Sequence, residues 1–237
     1  MSIGTLYVIA TPIGNMEDVT HRAIRILKEE VDIVCCEDTR QTRKLLNHYG
    51  ITTPTQSLHT HSSAQKIEGL IDLLQSGKSI AYVTDSGTPG ISDPGSRLVD
   101  RARSRNIPVC PVPGPSALAA IISVSGYHGK NISFAGFLSK KENRRKHELM
   151  KLKESEGIII LYESPYRVKK LITAISEIFP DSRVLIGREM TKFHEEFIYD
   201  SIENLVRNLE TIKEKGEFTI AIINNHQDKF EKSSEND

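Results

Sequence analysis

The chain has 237 residues, of which 38% are hydrophobic and 26% charged, a composition that excludes disordered and fibrous architectures. This length allows one large domain or two small ones. Lys plus Arg number 31 and Asp plus Glu number 31, so the formal net charge is zero. A polyanionic partner would therefore have to be held by local basic patches rather than by a global field.

The sequence contains no signal for a membrane or a secretory route. Its longest apolar runs, such as residues 158–162, are far shorter than the roughly 20 residues that span a bilayer. Its start lacks a basic stretch followed by an apolar one, so no secretory signal is predicted. Cys35, Cys36 and Cys110 cannot make a disulfide framework and lack zinc spacing. We expect a soluble cytoplasmic protein with no membrane or metal partner.

Short β-branched runs alternate with helical patterns along the chain. Strands are predicted at residues 6–10, 33–36, 80–84, 109–112, 132–136, 157–162, 183–187, 196–199 and 217–223. Helices are predicted at residues 39–49, 63–76, 95–105, 116–124, 142–154, 165–178 and 202–215. Gly50, Gly77 and Gly126 follow three of these helices and supply the left-handed residue that ends a helix.

Regular alternation of strand and helix predicts an α/β fold with mainly parallel pairing in a first sheet. The strand at 196–199 follows 183–187 too closely for a helical crossover, so we expect an antiparallel hairpin and a mixed second sheet. A turn-rich stretch places the domain boundary after residue 125. The prediction is therefore an N-terminal α/β domain at 1–125, a C-terminal α/β domain at 126–224, and a polar tail at 225–237 that we expect to be disordered.

Three Gly- and Pro-rich loops, at residues 11–15, 85–95 and 113–117, each follow a predicted strand. Ligands of open α/β sheets bind at the carboxyl ends of the strands, where such loops emerge. The alternative is that they are only connecting turns. No G-x-x-x-x-G-K-[ST] or strand-following G-x-G-x-x-G is present, which argues against a P-loop and a dinucleotide site. The pattern predicts a small ligand at the strand ends.

Polar clusters follow three other predicted strands. They are Glu37–Arg40, Glu163–Arg167 and the run from Gly187 to Glu196. In the first, Asp38 or Thr39 could simply be a helix N-cap with Arg40 paired to a carboxylate, and Ser164 could cap in the second. The third is either a solvated hairpin loop or the lining of a cleft.

Histidines and basic residues leave two further possibilities open. His59 and His61 lie on one face of an extended segment, but no carboxylate or Cys completes a metal site. Residues 140–153 hold seven Lys or Arg against two Glu, and residues 97–105 hold four Arg against one Asp. These are either solvated helix faces or a surface that tracks phosphates. The candidate RNA-binding residues are Arg97, Arg101, Lys140, Lys141, Arg144, Arg145 and Lys146.

Taken together, the motifs resemble those of the tetrapyrrole-methylase superfamily of S-adenosylmethionine-dependent methyltransferases, in family order over residues 4–224. The matching stretches include LYVIATPIGN (6–15), VDIVCCEDTRQTRKLL (31–46), AYVTDSGTPGISDPG (81–95), VPGPSALAA (112–120), LYESPYR (161–167), GREMTKFHEEF (187–197) and KGEFTIAI (215–222). The resemblance implies two α/β domains, S-adenosylmethionine in the cleft between them, and a homodimer. It assigns cofactor binding to Pro12, Gly14, Asp85, Gly87, Thr88, Ile91, Ser116, Ala117, Glu163 and Phe218.

Within the superfamily the stretches look like the branch that methylates ribose 2′-hydroxyls of small-subunit ribosomal RNA, which implies a cytidine in the decoding region of 16S rRNA as the target. Aligning oxygen, methyl carbon and sulfur would supply much of the catalysis, and a base could assist. The candidate bases are Glu37, Asp38, Glu163 and Glu189, with Arg40, Arg167 and Arg188 as phosphate or ribose clamps. The alternatives are a methylase for a tetrapyrrole or other small acceptor, a non-catalytic RNA- or cofactor-binding module, and an unrelated α/β nucleotide-binding enzyme.

Overall fold

A computed structural model describes residues 2–59, 62–91 and 95–224 of the chain. It divides the chain into two compact units, Met1–Ser116 and Ala117–Asp237. The tail predicted to be disordered, at 225–237, lies outside the described residues, as do His61 and part of the second Gly-rich loop. The expectation that a cofactor lies between two domains stays a prediction.

The first unit is a five-stranded parallel sheet with helices on both faces. Its elements, in chain order, are β1 (Leu6–Ile9), α1 (His21–Glu29), β2 (Ile33–Cys36), α2 (Thr39–His48), β3 (Thr55–Ser57), α3 (Ala64–Gln75), β4 (Ile80–Val83), α4 (Ser96–Ser104) and β5 (Val109–Val112). The strand order is β3-β2-β4-β1-β5, and every pair is parallel. The predicted parallel first sheet is confirmed.

The central strand β4 is buried along its whole length because both faces of the sheet are covered. Ile80 and Tyr82 pack into one hydrophobic cluster, with α3 and α4. Ala81 and Val83 point the other way and pack into a second cluster, with α1 and α2. Because both of its faces are covered, a parallel sheet of this kind has strands whose sequences are continuous apolar runs. The covered faces also leave the strand ends as the accessible part of the sheet.

Two elements of the first unit were not predicted. Helix α1 buries Ala23, Ile26 and Leu27, an i, i+3, i+4 pattern that was present in the sequence. Strand β3 is three polar residues that pair with β2 at the edge of the sheet. A polar edge strand this short has no apolar alternation, so only its pairing partner identifies it.

The second unit contains α5 (Ala117–Ser123), β6 (Ile132–Phe137), α6 (Glu142–Lys153), β7 (Ile158–Glu163), α7 (Val168–Ile178), β8 (Arg183–Arg188), β9 (Glu196–Ser201), α8 (Ile202–Arg207) and β10 (Phe218–Ile223). The strand order is β6-β7-β10-β8-β9. Strands β6 and β7 are parallel and the other pairs are antiparallel, including the β8–β9 hairpin. The predicted mixed sheet and hairpin are both confirmed.

Helix α5 belongs to the second unit, so the chain divides after Ser116 rather than after the expected residue 125. The reason is packing: α5 lies against β10, and Ile121 is fully buried. At Gly187, in β8, an added Cβ would lie only 2.9 Å from Ile121 Cδ1. Sequence turns mark where a helix ends, but they do not show which sheet the helix covers.

No helix among the described residues combines the length and the apolar character that a membrane crossing requires.

Candidate functional site

The loops after β1 and β4 are hydrogen-bonded to each other at the carboxyl ends of the strands of the first sheet. The backbone N–H of Thr11 donates to the carbonyl of Gly87 at 2.9 Å, and the N–H of Gly87 donates back to Thr11 at 3.0 Å. The buried Thr11 hydroxyl also donates to the carbonyl of Thr84 at 3.1 Å. The sequence does not predict this contact between Thr11 and Thr84, because the strands that they follow, β1 and β4, are far apart along the chain.

The loop after β5 joins the other two. The Thr88 hydroxyl donates to the carbonyl of Pro115 at 2.9 Å. At Gly87, where φ is +82°, an added Cβ would lie 3.3 Å from Ile13 Cγ2 and 3.8 Å from the Pro115 oxygen. A position with positive φ and such close neighbours favours glycine. The three predicted loops therefore form one cluster, which is what their places after parallel strands led us to expect.

Most of the predicted cofactor residues belong to this cluster. Gly14 and Asp85 are exposed, Pro12, Thr88, Ile91 and Ser116 are half-buried, and Gly87 is buried. The Asp85 carboxylate accepts a hydrogen bond from the backbone N–H of Asp38 at 3.0 Å, which ties the end of β2 to the cluster. Ala117 is the first residue of α5.

Asp38 is the N-cap of α2. It accepts hydrogen bonds from the backbone N–H of Arg40 at 2.8 Å and from the Arg40 guanidinium at 2.9 and 3.2 Å. The hydrogen bonds from the Arg40 side chain and backbone lower the pKa of Asp38. A carboxylate with a lowered pKa is a weaker proton acceptor. A helix cap with a paired arginine, the simpler of the two interpretations, therefore accounts for Asp38. Glu37, the residue before it, is half-buried.

Three residues that were predicted separately lie side by side on three neighbouring strands of the second sheet, at one end of these strands. Phe218, the first residue of β10, is in register with Glu163 at the end of β7 and with Arg188 at the end of β8. All three are buried, between 2% and 7% exposed. Because they are in register, their side chains share the face of the sheet that the helical layer covers, and Phe218 belongs to that hydrophobic core.

Glu163 forms a buried ion pair with Arg167. One carboxylate oxygen, Oε1, accepts from the Arg167 guanidinium, Nε at 2.7 Å and Nη2 at 2.5 Å, and from the backbone N–H of Ser164 at 2.7 Å. The other oxygen, Oε2, is buried and has no hydrogen-bond partner among the described residues. Ser164 itself makes no capping hydrogen bond. The Oε2 oxygen has no contact with solvent, so the ion pair with Arg167 and the hydrogen bond from Ser164 are the interactions that the structure shows for the carboxylate.

The run from Gly187 to Glu196 comprises the last two residues of β8, a loop at 189–195 and the first residue of β9. The Arg188 Nε donates to Glu196 at 2.7 Å. Glu189 accepts from Lys192 Nζ and from the backbone N–H of Glu217, both at 2.9 Å. Burial alone would raise the pKa of Glu189, but the hydrogen bonds from Lys192 and Glu217 outweigh it and lower the pKa. Lys192 lies within the predicted polar run, whereas Glu217, 25 residues further along the chain, was not predicted as a site residue.

The predicted RNA-binding residues do not form one exposed set. Arg145 is only 5% exposed, so the prediction that it belongs to a basic surface is wrong. It lies on the same inward face of α6 as the fully buried Leu149, one helical turn further along. Arg101 makes a two-bond pair with Glu68, at 2.5 and 2.9 Å. Lys146 pairs with Glu142 and Glu177, and Arg144 pairs with Glu148. Arg97, Lys140 and Lys141 are exposed.

No group of three metal-ligating side chains occurs in the part of the chain that the structure describes. His59 belongs to that part, and its Nδ1 lies 3.5 Å from the Ser62 hydroxyl. His61, the other member of the considered pair, does not.

A family model described as tetrapyrrole (corrin/porphyrin) methylases matches residues 5–206. A protein of Leptospira biflexa named ribosomal RNA small subunit methyltransferase I is 45% identical over 226 residues, which cover 95% of this chain and 92% of that protein. A protein of the same name from Thermotoga maritima is 42% identical over 220 residues, 93% of this chain and 98% of the relative.

Solved structures agree in fold. A cobalt precorrin-4 methyltransferase superposes with a TM-score of 0.66 at 17% identity, covering 92% of this chain and 94% of that chain. A uroporphyrin-III C-methyltransferase from Thermus thermophilus gives a TM-score of 0.61 at 16% identity, covering 93% and 92%. At these identities the likeness concerns the fold alone, whereas the family match and the sequence relatives extend over most of the chain. The chain belongs to the tetrapyrrole (corrin/porphyrin) methylase family and is a methyltransferase.

Proposed function

We propose that the chain transfers a methyl group from S-adenosylmethionine to the ribose 2′-oxygen of a cytidine in the decoding region of 16S rRNA, within the small ribosomal subunit. The observation that carries the proposal is the set of relatives named ribosomal RNA small subunit methyltransferase I, at 42–45% identity over more than nine-tenths of the chain. A ribosomal substrate in bacterial relatives also supports a cytoplasmic location. The family resemblance supports action as a homodimer.

The loop cluster of the first unit fits a nucleoside cofactor. Gly87 allows the positive φ and the close packing against Ile13 and Pro115 that shape the loop, and the exposed Asp85 carboxylate can accept hydrogen bonds from hydroxyl or amino groups. Interlocked loops need little further ordering on binding. When bound, S-adenosylmethionine supplies a sulfonium methyl group that is already activated for transfer. Pro12, Gly14, Thr88, Ile91, Ser116 and Ala117 complete the proposed cofactor set.

The four candidate bases differ in their capacity to accept a proton. Asp38 and Glu189 are occupied by hydrogen bonds and have lowered pKa values. Glu163 keeps one oxygen without a partner among the described residues, and a substrate hydroxyl would reach this buried atom only if the surrounding side chains move. Of these three, Glu163 is the better candidate, and Glu37 stays the fourth candidate. Positioning supplies the larger share, about 7–11 kcal/mol of the barrier in well-aligned systems, and a base adds about 10²–10⁴-fold.

The test of the reaction uses labelled S-adenosylmethionine, isolated small subunits that lack the modification, and nucleoside analysis of the RNA. We expect labelled 2′-O-methylcytidine. Label absent from RNA while calorimetry shows cofactor binding would overturn the RNA assignment and favour a small acceptor or a non-catalytic module.

The cofactor assignment has its own test at Thr88. Thr88→Arg fills the loop and removes the hydroxyl that donates to Pro115, so calorimetric binding of S-adenosylmethionine should be lost. Thr88→Ser keeps that donor and should bind as the parent does. Unchanged affinity in Thr88→Arg would remove the loop cluster from the cofactor site.

The RNA surface is tested by charge reversal at the exposed Lys140 and Lys141. The double Glu variant should bind the subunit more weakly and with a shallower salt dependence, because fewer counterions are released. Lys28 and Lys78, two exposed lysines outside the predicted set, provide a control double variant with the same change in net charge. Equal salt slopes in both double variants would exclude Lys140 and Lys141 from the RNA surface.

A further inference from the structure

An isolated phenylalanine stands at the tip of the β8–β9 loop. The Phe193 side chain is 98% exposed, more than any other large hydrophobic side chain among the described residues. The His194 ring lies edge-on to it with 5.0 Å between ring centroids. A ring exposed to this degree offers both faces for stacking, and stacking on a nucleic-acid base requires only one of them.

The loop is held in a single, strained conformation. Glu189 and Thr191 have φ values of +52° and +65°, which side-chain-bearing residues adopt rarely and a β-branched residue most rarely. The Thr191 backbone N–H donates to the Glu195 carboxylate at 2.6 Å, and the N–H of Lys192 donates to the Glu189 carbonyl at 3.0 Å. Strain of this kind persists only where neighbouring contacts impose it.

Those contacts come from the segment that leads into β10. The N–H of Glu189 donates to the carbonyl of Glu217 at 2.9 Å, and Lys192 Nζ bonds to both glutamates, at 2.9 and 2.8 Å. At Gly216, an added Cβ would lie 2.4 Å from Glu189 Cγ. The base of the loop that carries Phe193 is thus bonded to the segment before β10 at several points.

Each acidic side chain of the loop accepts a hydrogen bond from within the chain. Glu189 accepts from Lys192, Glu195 accepts from the backbone of Thr191, and Glu196 accepts from Arg188. The loop exposes the Phe193 ring together with the polar His194 and Glu195, and not an apolar patch. A protein interface requires a contiguous apolar area, whereas an unstacked nucleic-acid base requires only one ring face.

We propose that Phe193 stacks on an unstacked base of the RNA substrate next to the target nucleotide and holds that strand open. The inference rests on the proposed function and adds a positioning residue to it. A ribose 2′-hydroxyl within a structured RNA is reached by splaying nucleotides apart, and aromatic side chains stabilise the bases released in this way. The loop starts directly after Arg188, at the edge of the second sheet where Glu163 and Phe218 lie in register.

The test compares Phe193→Ala, Phe193→Leu and Phe193→Trp with the parent. Leucine matches the apolar character without a ring, and tryptophan keeps an aromatic face. Methylation of small subunits should show a KM for RNA raised about 5- to 150-fold in the Ala and Leu variants, the range for loss of one stacked base, and near parent values in the Trp variant. Affinity for S-adenosylmethionine should be equal in all four proteins, which reports on their folding.

A binding measurement separates this inference from the proposed function. Decoding-region RNA hairpins carrying 2-aminopurine at single positions around the target cytidine should lose fluorescence with the parent and the Trp variant, at one position, and not with Ala or Leu. Unchanged KM and unchanged fluorescence across the series would overturn the inference. A fall in oligomer mass in the Ala variant with unchanged RNA affinity would also overturn it, in favour of a contact between protein chains. If the parent does not methylate the subunit, the proposed function fails separately, and the fluorescence series still decides whether Phe193 stacks.

Discussion

Gly216 is the position where a single added methyl group should expose how the β8–β9 loop is held. Its φ is +92°, and the Cβ of an alanine would lie 2.4 Å from Cγ, 2.6 Å from Cδ and 2.7 Å from Oε1 of Glu189. Gly216→Ala therefore forces the Glu189 side chain to move. The movement breaks the hydrogen bonds from Lys192 Nζ and from the backbone N–H of Glu217.

The expected loss of stability has two parts. A side-chain-bearing residue at positive φ costs about 1–2 kcal/mol. Each of the two charge-assisted hydrogen bonds contributes about 1.5–3 kcal/mol, and the lower end applies because Glu189 and Lys192 stay partly exposed to water. Gly216→Ala should thus lower the free energy of unfolding by about 4–5 kcal/mol.

Gly126 provides the matched control in the same unit. It also has positive φ, +68°, but an added Cβ would meet nothing within 4 Å. Gly126→Ala should therefore cost only the backbone strain, about 1–2 kcal/mol. Urea unfolding of both variants, followed by far-ultraviolet circular dichroism, measures the difference.

A double variant completes the design. In a Glu189→Ala background the contact is absent, so Gly216→Ala should cost no more than Gly126→Ala does. Equal destabilisation by the two glycine substitutions in the unmodified protein would refute the reasoning, because it would mean that Glu189 is displaced at no cost.

Three further predictions concern other contacts. Lys192 keeps the pKa of Glu189 below its usual 4.5, so Glu189→Gln should be less stable than the parent near neutral pH. Urea unfolding at decreasing pH should show the difference in unfolding free energy between the two proteins shrinking below about pH 4.5, because the folded carboxylate then takes up its proton. Arg167→Met leaves the buried Glu163 carboxylate without its charged partner and should lower the free energy of unfolding by about 3–5 kcal/mol, measured by urea unfolding. A loss under about 1 kcal/mol would contradict a buried ion pair. Gly87→Ala should weaken calorimetric binding of S-adenosylmethionine about 5- to 150-fold, since strain of about 1–3 kcal/mol falls on the cofactor loop. Parent affinity would argue against that loop as the cofactor site.

The local pattern of the sequence was sufficient for most of the architecture. Buried parallel strands such as β4 are continuous apolar runs because both faces are covered, and the short interval between β8 and β9 allowed only a hairpin. The meeting of the three Gly- and Pro-rich loops also followed from sequence, since loops after parallel strands emerge at one edge. Strand β3 could not be found in this way, because a polar edge strand is defined by its partner.

Side-chain partners between distant segments were decided only by the tertiary structure. The basic run at 140–153 does not reveal that Arg145 faces inward, because burial depends on which face of α6 the sheet and α7 cover. Likewise, strand pairing puts Phe218 in register with both Glu163 and Arg188, which lie 25 residues apart from one another along the chain.

The chemical state of the candidate groups belongs to the same category. The pKa of a carboxylate depends on the charges and donors within a few ångströms. Glu189 is held by Lys192, from its own loop, and by Glu217, from the segment that leads into the neighbouring strand β10, and Glu217 reaches it only on folding. The sequence by itself determined the two sheets, the loop cluster and the family. Which carboxylates are occupied, which arginines are buried and how Phe193 is presented were decided by long-range packing, because a strand or helix pattern specifies what a segment buries and not what it meets.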